Sequence, residues 1–348
     1  MGLNIVMAPL IVLMLIMSAP APAWAGPNED LAAGSSAFDR RDYAAAIALF
    51  SRAIEGRAQD APEMARSFFA RGTAYARLKR HDKAIADFDQ VIAITPQDHQ
   101  VFNSRGLSYR ANNAVNRAIA DFDQALQLKP DYWDALINRG NAYFAQRKYD
   151  RAIADNSVAI RLRPGAYGPY FNRGNAFERL GLHDQAIGDY GEVIKLNPDY
   201  VETYNRRGRA FHEVREYARA IADFSEALRR KPDFLAAAYN RAKARLANGE
   251  FDEGIADLDY AFKLNPNDPS TLILRGNIFY EKRDHARAIT DYNHALRLNP
   301  RDTLALFNRA LANLGTGEYT LAIADYATCS KPSRTIIRRF ATVASHLR

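Results

Sequence analysis

The sequence is short of the residues on which disulfide frameworks and metal clusters depend. Its 348 residues include a single cysteine, Cys329, so no disulfide can form within the chain. We predict that Cys329 fills a small core position, with a reactive or intermolecular thiol as the alternative. Paired cysteines and the H-E-x-x-H spacing are both missing, so no metal site is expected.

Catalytic motifs are missing too. The sequence contains no G-x-S-x-G nucleophile motif, no P-loop and no Gly-rich dinucleotide turn. Aspartate and glutamate are frequent, but most are expected on helix surfaces and no pair stands out as an acid and a base. The sequence therefore predicts a protein that is not an enzyme, with no cofactor and no small-molecule substrate.

Long apolar runs are lacking except near the start of the chain. Residues 1–25 carry no charged side chain, and their apolar run, Ile5–Met17, is shorter than the roughly 20 residues that a bilayer requires. Small residues at Ala23 and Ala25 match what signal peptidase reads. We predict a signal peptide over 1–25, cleaved after Ala25, and export to the periplasm or the medium. Because no Lys or Arg precedes the run, an uncleaved anchor is the alternative.

The sequence is strongly repetitive. Residues 172–198, NRGNAFERLGLHDQAIGDYGEVIKLNP, return in similar form 34 residues earlier and 34 residues later. A fixed period of this length indicates stacked repeats, each of which contacts only its neighbours. Prolines close successive repeats at Pro96, Pro130, Pro164, Pro198, Pro232, Pro266 and Pro300.

Each repeat has the spacing of two amphipathic helices. When residue 167 is counted as position 1, Tyr170, Gly174 and Phe177 fall on one helical face. A second face runs from Ala186 to Val193 after a short break. Helices of about 12–14 residues are marginal alone in water, so each pair must pack against its neighbours.

The pattern resembles the tetratricopeptide repeat, in which positions 8 and 20 are small, 11 and 24 are aromatic and 32 is proline. Six repeats, starting at 65, 99, 133, 167, 201 and 269, carry most of it. The resemblance implies an all-α fold, an α-solenoid forming a right-handed superhelix of about nine repeats over 27–332. These repeats start near 27, 65, 99, 133, 167, 201, 235, 269 and 303, and residues 333–348 are expected to form a capping helix and basic tail.

Some repeats depart from the pattern. Asn156 stands where position 24 is normally aromatic, and Arg245 stands at position 11 of a degraded repeat. The second repeat begins 38 residues after the first, which is one helical turn late. Pro62 therefore lies outside the proline series.

Two charged positions recur in eight successive repeats, with Arg at position 7 and Asp at position 23. Because both flank the contact between the two helices, we predict an Arg–Asp ion pair within a repeat or to the next one. The alternative is an arginine ladder for an acidic ligand. The residues are Arg71, Arg105, Arg139, Arg173, Arg207, Arg241, Arg275 and Arg309, with Asp87, Asp121, Asp155, Asp189, Asp223, Asp257, Asp291 and Asp325.

The resemblance also implies where a partner binds. In tetratricopeptide repeats the first helices line the concave side, where Asn amides can pair with the backbone of an extended peptide and aromatic rings offer pockets. The chaperone-type carboxylate clamp is not expected, because no repeat has Lys at position 5. The candidate peptide-binding residues are Asn141, Phe171, Asn175, Arg209, Tyr239, Lys243 and Asn277.

The net charge of the chain limits the classes of partner that we expect. The formal net charge is +7, of which the tail contributes four arginines, so the repeats carry only about +3 (7 − 4) with both signs interspersed. Nucleic acid is therefore not expected, whereas the tail could reach a membrane surface. We predict an exported scaffold that binds peptide segments of partner proteins. The alternatives are a membrane-associated envelope-assembly factor, held by an uncleaved N-terminus or the tail, and an accessory subunit of a glycan-acting envelope enzyme.

Overall fold

The computed structural model describes residues 26–56 and 60–328, and this part of the chain consists of helices and turns without a strand. The predicted signal peptide, Cys329 and the tail 333–348 lie outside the described residues. The helices are α1 (Pro27–Asp39), α2 (Tyr43–Glu55), α3 (Ala61–Arg77), α4 (His81–Ile94), α5 (His99–Ala111), α6 (Val115–Leu128), α7 (Trp133–Ala145), α8 (Tyr149–Leu162), α9 (Tyr167–Arg179), α10 (His183–Leu196), α11 (Glu202–Glu213), α12 (Tyr217–Arg230), α13 (Leu235–Ala247), α14 (Phe251–Leu264), α15 (Pro269–Glu281), α16 (His285–Leu298), α17 (Thr303–Thr316) and α18 (Tyr319–Thr328).

The chain divides into two compact units, an N-terminal body of residues up to 135 and a C-terminal body from residue 136 onward. In each body the odd-numbered helices are the first helices of repeats and the even-numbered helices are the second. Consecutive helices pack together, and so do neighbouring first helices such as α1 with α3 or α11 with α13. Each body is thus a run of helical repeats, which confirms the prediction of an all-α solenoid.

A small residue and a ring meet between the two helices of most repeats, and we call this contact the seam. At the seam of α9 and α10, the Tyr190 ring lies so close to Gly174 that a Cβ there would be 2.8 Å from the ring. Ala186 and Val193 are fully buried beside it. A side chain added at position 174 would therefore displace the ring.

The late start of the second repeat is an added turn of helix. α3 is 17 residues long, whereas α5 has 13. The Asp60 side chain caps α3 by accepting a hydrogen bond from the Glu63 backbone N–H, and Pro62 sits in the first turn, where no N–H is needed. Pro62 therefore begins a helix, whereas the repeating prolines follow one.

The predicted Arg–Asp ion pair is present in all eight repeats and joins the two helices of each. At the α9–α10 seam, Arg173 donates from Nε to Asp189 Oδ2 at 2.8 Å and from Nη2 to Oδ1 at 2.7 Å. Its third nitrogen, Nη1, donates to Ser157 Oγ of the preceding repeat at 3.0 Å. Burial raises the pKa of Asp189, while the hydrogen bonds and charge of Arg173 lower it. The same two-bond pairing joins Arg71–Asp87, Arg105–Asp121, Arg139–Asp155, Arg207–Asp223, Arg241–Asp257, Arg275–Asp291 and Arg309–Asp325.

These pairs rule out the arginine ladder as a ligand site, because each guanidinium already holds a carboxylate. Two repeats that depart from the pattern form ion pairs with arginines at other positions. In the first repeat, which lacks both charges, Arg52 pairs instead with the buried Asp30. In the degraded repeat, Arg245 stands in place of a ring and donates to Asp257 Oδ2 at 2.7 Å, adding a second arginine to that carboxylate.

Candidate functional site on the first-helix face

The candidate residues lie on the first helices of the C-terminal body, at positions 5 and 9 of their repeats. We call the surface formed by positions 2, 5, 6, 9, 12 and 13 of these helices the first-helix face. Asn141 on α7 is half-buried. Phe171 on α9 is also half-buried, with its ring 5.0 Å from that of Tyr200 and 5.9 Å from that of Tyr190. Phe171 therefore packs against two rings of its own repeat and offers only part of its ring to a partner.

Asn175 and Arg209 belong to a charged cluster that closes the face between α9 and α11. The Tyr190 hydroxyl lies 2.8 Å from Asn175 Oδ1 and 2.9 Å from Glu178 Oε2, and its one proton serves one acceptor at a time. Arg209 Nη2 is 2.9 Å from Glu178 Oε1, and Arg206 Nη1 is 3.8 Å from Oε2. Burial and the Glu178 charge raise the pKa of Tyr190, so the hydroxyl stays protonated. The Oδ1 atom of Asn175 is therefore already in contact with a donor within the protein.

An open pocket follows between α11 and α13, and three of the predicted residues line it. We call it the basic pocket, and its volume is about 340 Å³. Arg209 is 46% exposed despite its contact with Glu178, and Lys243 is exposed on α13. Among the described residues, no carboxylate forms an ion pair with Lys243. The residues that line the basic pocket are Arg209, His212, Glu213, Phe224, Tyr239, Asn240 and Lys243.

The protonation states of His212 and Tyr239 leave Arg209 and Lys243 as the cationic groups of the basic pocket. Burial, followed by the charge of Lys243, lowers the pKa of His212, so this imidazole is neutral at neutral pH. Burial, followed by the charge of Asp268, raises the pKa of Tyr239, so its hydroxyl remains a donor. One carboxylate, Glu213, stands at the edge with Oε1 3.6 Å from His212 Nδ1.

A second, larger pocket is lined by residues from α13 to α17 and is mainly apolar. We call it the apolar pocket, and its volume is about 530 Å³. Asn277 Oδ1 accepts from the Tyr292 hydroxyl and from Asn308 Nδ2, each at 2.8 Å. Leu304 is 55% exposed. The residues that line the pocket are Leu246, Phe251, Asn277, Tyr280, Glu281, Tyr292, Leu304, Asn308 and Leu311.

The two pockets occupy equivalent places two repeats apart. Arg209 corresponds to Asn277, His212 to Tyr280, Asn240 to Asn308 and Lys243 to Leu311. Between them, position 6 is Leu274, which is 8% exposed and packs with Ala242, Leu258 and Ile278. The face therefore presents a basic pocket and an apolar pocket in sequence.

Sequence reasoning missed several of the lining residues. Asn240 and Asn308 stand at position 6 and are not among the predicted residues. Each donates an amide hydrogen to an Asn on the preceding first helix, Asn205 at 2.9 Å and Asn277 at 2.8 Å. Their amide oxygens remain as acceptors toward the face. His212, Tyr280 and Leu304 carried no separate signal, because a pocket requires side chains from two repeats whose identities vary independently.

Two further observations on the described residues concern metal binding and membrane crossing. No cluster of three or more His, Cys, Asp or Glu side chains there is arranged to hold a metal ion. No helix in the same part of the chain combines the length and apolar character that crossing a bilayer requires.

Comparisons with known proteins agree with this architecture. The family model for the tetratricopeptide repeat matches residues 31–99, 103–167, 171–233, 205–269, 239–293 and 273–328. No curated protein sequence matches the chain significantly.

Solved structures share the fold at low sequence identity. The C-terminal part of a repeat-containing protein from Cytophaga hutchinsonii superposes with a TM-score of 0.60 and 17% identity, covering 69% of this chain and 98% of that one. A tetratricopeptide repeat protein from Parabacteroides merdae gives a TM-score of 0.53 and 17% identity, covering 73% and 98%. A chain of the APC/C hetero-tetramer Cut9–Hcn1 gives a TM-score of 0.51 and 18% identity, covering 81% of this chain and 55% of that one.

Stacked repeats of this kind form extended surfaces that bind other proteins. The repeats match the family model over nearly all of the described residues, and the first-helix face carries open pockets. The chain therefore belongs to the tetratricopeptide repeat family and is a scaffold for interactions with other proteins.

Proposed function

We propose that the protein binds an extended segment of a partner protein along the first-helix face of its C-terminal body. The observation that carries the proposal is the presence of two equivalent pockets on one face, each lined by an Asn whose amide oxygen is left as an acceptor. An extended chain presents N–H groups for such acceptors and side chains for such pockets.

Two double variants of matched composition test this proposal. Tyr239→Ala with Lys243→Ala removes a tyrosine and a lysine from the basic pocket. Tyr260→Ala with Lys263→Ala removes the same residue types from exposed positions on the second helix α14. Partners captured from an extract of the source organism are compared by quantitative mass spectrometry, after circular dichroism has shown equal helix content.

We expect at least a tenfold loss of captured partner for the variant in the basic pocket and less than a twofold change for the variant on α14. Equal losses, or no loss in either variant, would contradict binding on the first-helix face. Capture with both variants is measured at the same protein concentration, so that a difference reflects affinity.

We also propose that the chain is exported, on the strength of the apolar, uncharged segment 1–25 that ends in Ala23-Trp24-Ala25. The test is N-terminal sequencing of the protein recovered from the envelope or medium of its source cells. A mature start at Gly26 is expected. A protein that retains Met1 would overturn cleavage and favour an anchored form.

A further inference from the structure

The two pockets of the first-helix face differ in charge although they are equivalent in position. In the basic pocket, position 9 of successive first helices places Arg209 and Lys243 on either side. In the apolar pocket the same two places hold Asn277 and Leu311. A partner segment that crosses both pockets must therefore satisfy two different chemistries.

The basic pocket suits a carboxylate. Lys243 is exposed and forms no ion pair within the described residues, and the Arg209 guanidinium keeps donors beyond the Nη2 that contacts Glu178. Asn240 and Tyr239 add neutral polar groups beside these cations, and Glu213 is the one carboxylate in the lining, with its Oε1 3.6 Å from His212 Nδ1. An acidic side chain placed here gains two cationic donors in a partly enclosed site, where charge-assisted hydrogen bonds are strongest.

The apolar pocket suits a large uncharged side chain. Leu304 is 55% exposed, and Leu246, Leu311 and Tyr280 complete an apolar wall around it. Its volume of about 530 Å³ accommodates an aromatic ring. Covering an exposed leucine in this way removes apolar surface from water, which favours an apolar occupant.

The packing of the helices fixes the distance between the two side chains. Neighbouring first helices contact each other from α11 to α13, from α13 to α15 and from α15 to α17. Packed helices lie about 8–10 Å apart, so pockets two steps apart are separated by about 16–20 Å. An extended chain advances about 3.3 Å per residue, so this distance spans about five or six residues.

From these observations we infer that the partner segment is an extended acidic–apolar peptide, with a carboxylate side chain for the basic pocket and an apolar side chain about five or six residues away for the apolar pocket. This inference rests on the proposed function and names the chemistry of its partner. Because the pockets do not define the polarity of the chain, the acidic residue can precede or follow the apolar one.

Synthetic peptides provide the test. Fluorescein-labelled peptides of about twelve Gly, Ser and Asn residues carry one glutamate and one phenylalanine about five residues apart, in either order. Matched peptides replace Glu with Gln, replace Phe with Ser, or place the two residues side by side. Fluorescence anisotropy with the full chain measures each Kd.

We expect at least one order of the Glu–Phe peptide to bind tenfold or more tightly than its Gln, Ser and adjacent-residue counterparts. Lys243→Ala should abolish the preference for Glu over Gln while keeping the preference for Phe over Ser. Leu311→Ser should do the reverse, and Lys263→Ala on α14 should alter neither preference.

Failure of this inference can be told apart from failure of the proposed function. If no Glu–Phe peptide binds more tightly than its counterparts, or if Lys243→Ala leaves the Glu preference intact, the inferred chemistry is overturned. The proposed function stands in that case if Tyr239→Ala with Lys243→Ala still loses captured partner. If capture is also unaffected, both are wrong.

Discussion

The seams of two successive repeats, α7–α8 and α9–α10, differ in the residue that faces the glycine. At the α9–α10 seam the Tyr190 ring packs on Gly174 and its hydroxyl is hydrogen-bonded. At the α7–α8 seam Asn156 replaces the ring against Gly140, donating from Nδ2 to the Ala152 carbonyl at 2.8 Å. Its Oδ1 is buried and has no hydrogen-bond partner.

The ion pair is unchanged by this difference. Arg139 and Asp155 make the same two bonds, at 2.9 and 2.6 Å, as Arg173 and Asp189 do at 2.8 and 2.7 Å. The geometry of the pair therefore does not depend on the ring beside it. We conclude that the ion pair sets the register of the two helices, whereas the ring supplies apolar burial.

The largest expected effect comes from removing the ion pair, and it should be similar at both seams. Asp189→Ala or Asp155→Ala leaves a mostly buried guanidinium without its carboxylate. Each should lower the free energy of unfolding by roughly 3 kcal/mol, the lower end of the range for breaking a buried pair. Urea denaturation followed by circular dichroism measures the loss, and Asp184→Ala, at an exposed position of α10, is the control.

Exchanging the two charges of the Arg173–Asp189 pair is a further test of the same ion pair. Arg173→Asp combined with Asp189→Arg should be clearly more stable than either single reversal, because opposite charges again face each other. If the double exchange is no better than the worse single change, the ion pair does not hold the two helices together.

A second prediction separates the two seams. Gly174→Ala should cost about 1–3 kcal/mol, because the new Cβ would stand 2.8 Å from the Tyr190 ring. Gly140→Ala should be close to neutral, since the nearest atom, 2.9 Å away, is the end of the flexible Asn156 amide and alanine favours the helix. Thermal melts of the two variants check this, and equal costs would show that the ring does not control the seam.

A third prediction converts the α7–α8 seam into the common type. Asn156→Phe removes a buried acceptor without a partner and adds a ring opposite Gly140, as Phe122 lies opposite Gly106. The free energy of unfolding should rise by about 1–2 kcal/mol. Asn156→Ala is the control that removes the acceptor without adding the ring, and a destabilised Asn156→Phe would show that the amide is required.

The smallest expected effect concerns the third nitrogen of the position 7 arginines. Arg173 and Arg241 each donate from Nη1 to a serine of the preceding repeat, Ser157 or Ser225, at 3.0 Å. The corresponding residue for Arg207 is Gly191, where a Cβ would lie 3.8 Å from Nη1. Gly191→Ser should therefore stabilise the protein by about 1 kcal/mol more than Gly188→Ser, which adds only helix propensity. Equal gains would mean that no hydrogen bond forms.

The sequence was sufficient to predict the repeats and the ion pairs, because both depend on residues at fixed positions of every repeat. The sequence was not sufficient to predict the Asp30–Arg52 pair or the second arginine on Asp257. Asp30 and Arg245 stand at positions 4 and 11, which are uncharged in the other repeats. Such pairs become visible only when the two helices are seen in contact.

The candidate site was predicted as one row of residues, but the structure places these residues in different surroundings. The Tyr190 hydroxyl lies 2.8 Å from Asn175 Oδ1, and Phe171 packs against Tyr190 and Tyr200, whereas Arg209, Tyr239 and Lys243 line one pocket. At position 6, Leu274 is buried whereas Asn240 and Asn308 line pockets, and this contrast cannot be read from the pattern of one repeat.

Site-specific photocrosslinking tests the central claim, binding on the first-helix face, most directly. A benzophenone amino acid replaces Tyr239 in the basic pocket or, in the matched control, the exposed Tyr260 on α14. After irradiation with the captured partner, we predict that Tyr239→benzoylphenylalanine crosslinks to one short segment of that partner and that the Tyr260 variant gives at most a tenth of the product. Equal crosslinking at both positions would contradict a partner held on the first-helix face.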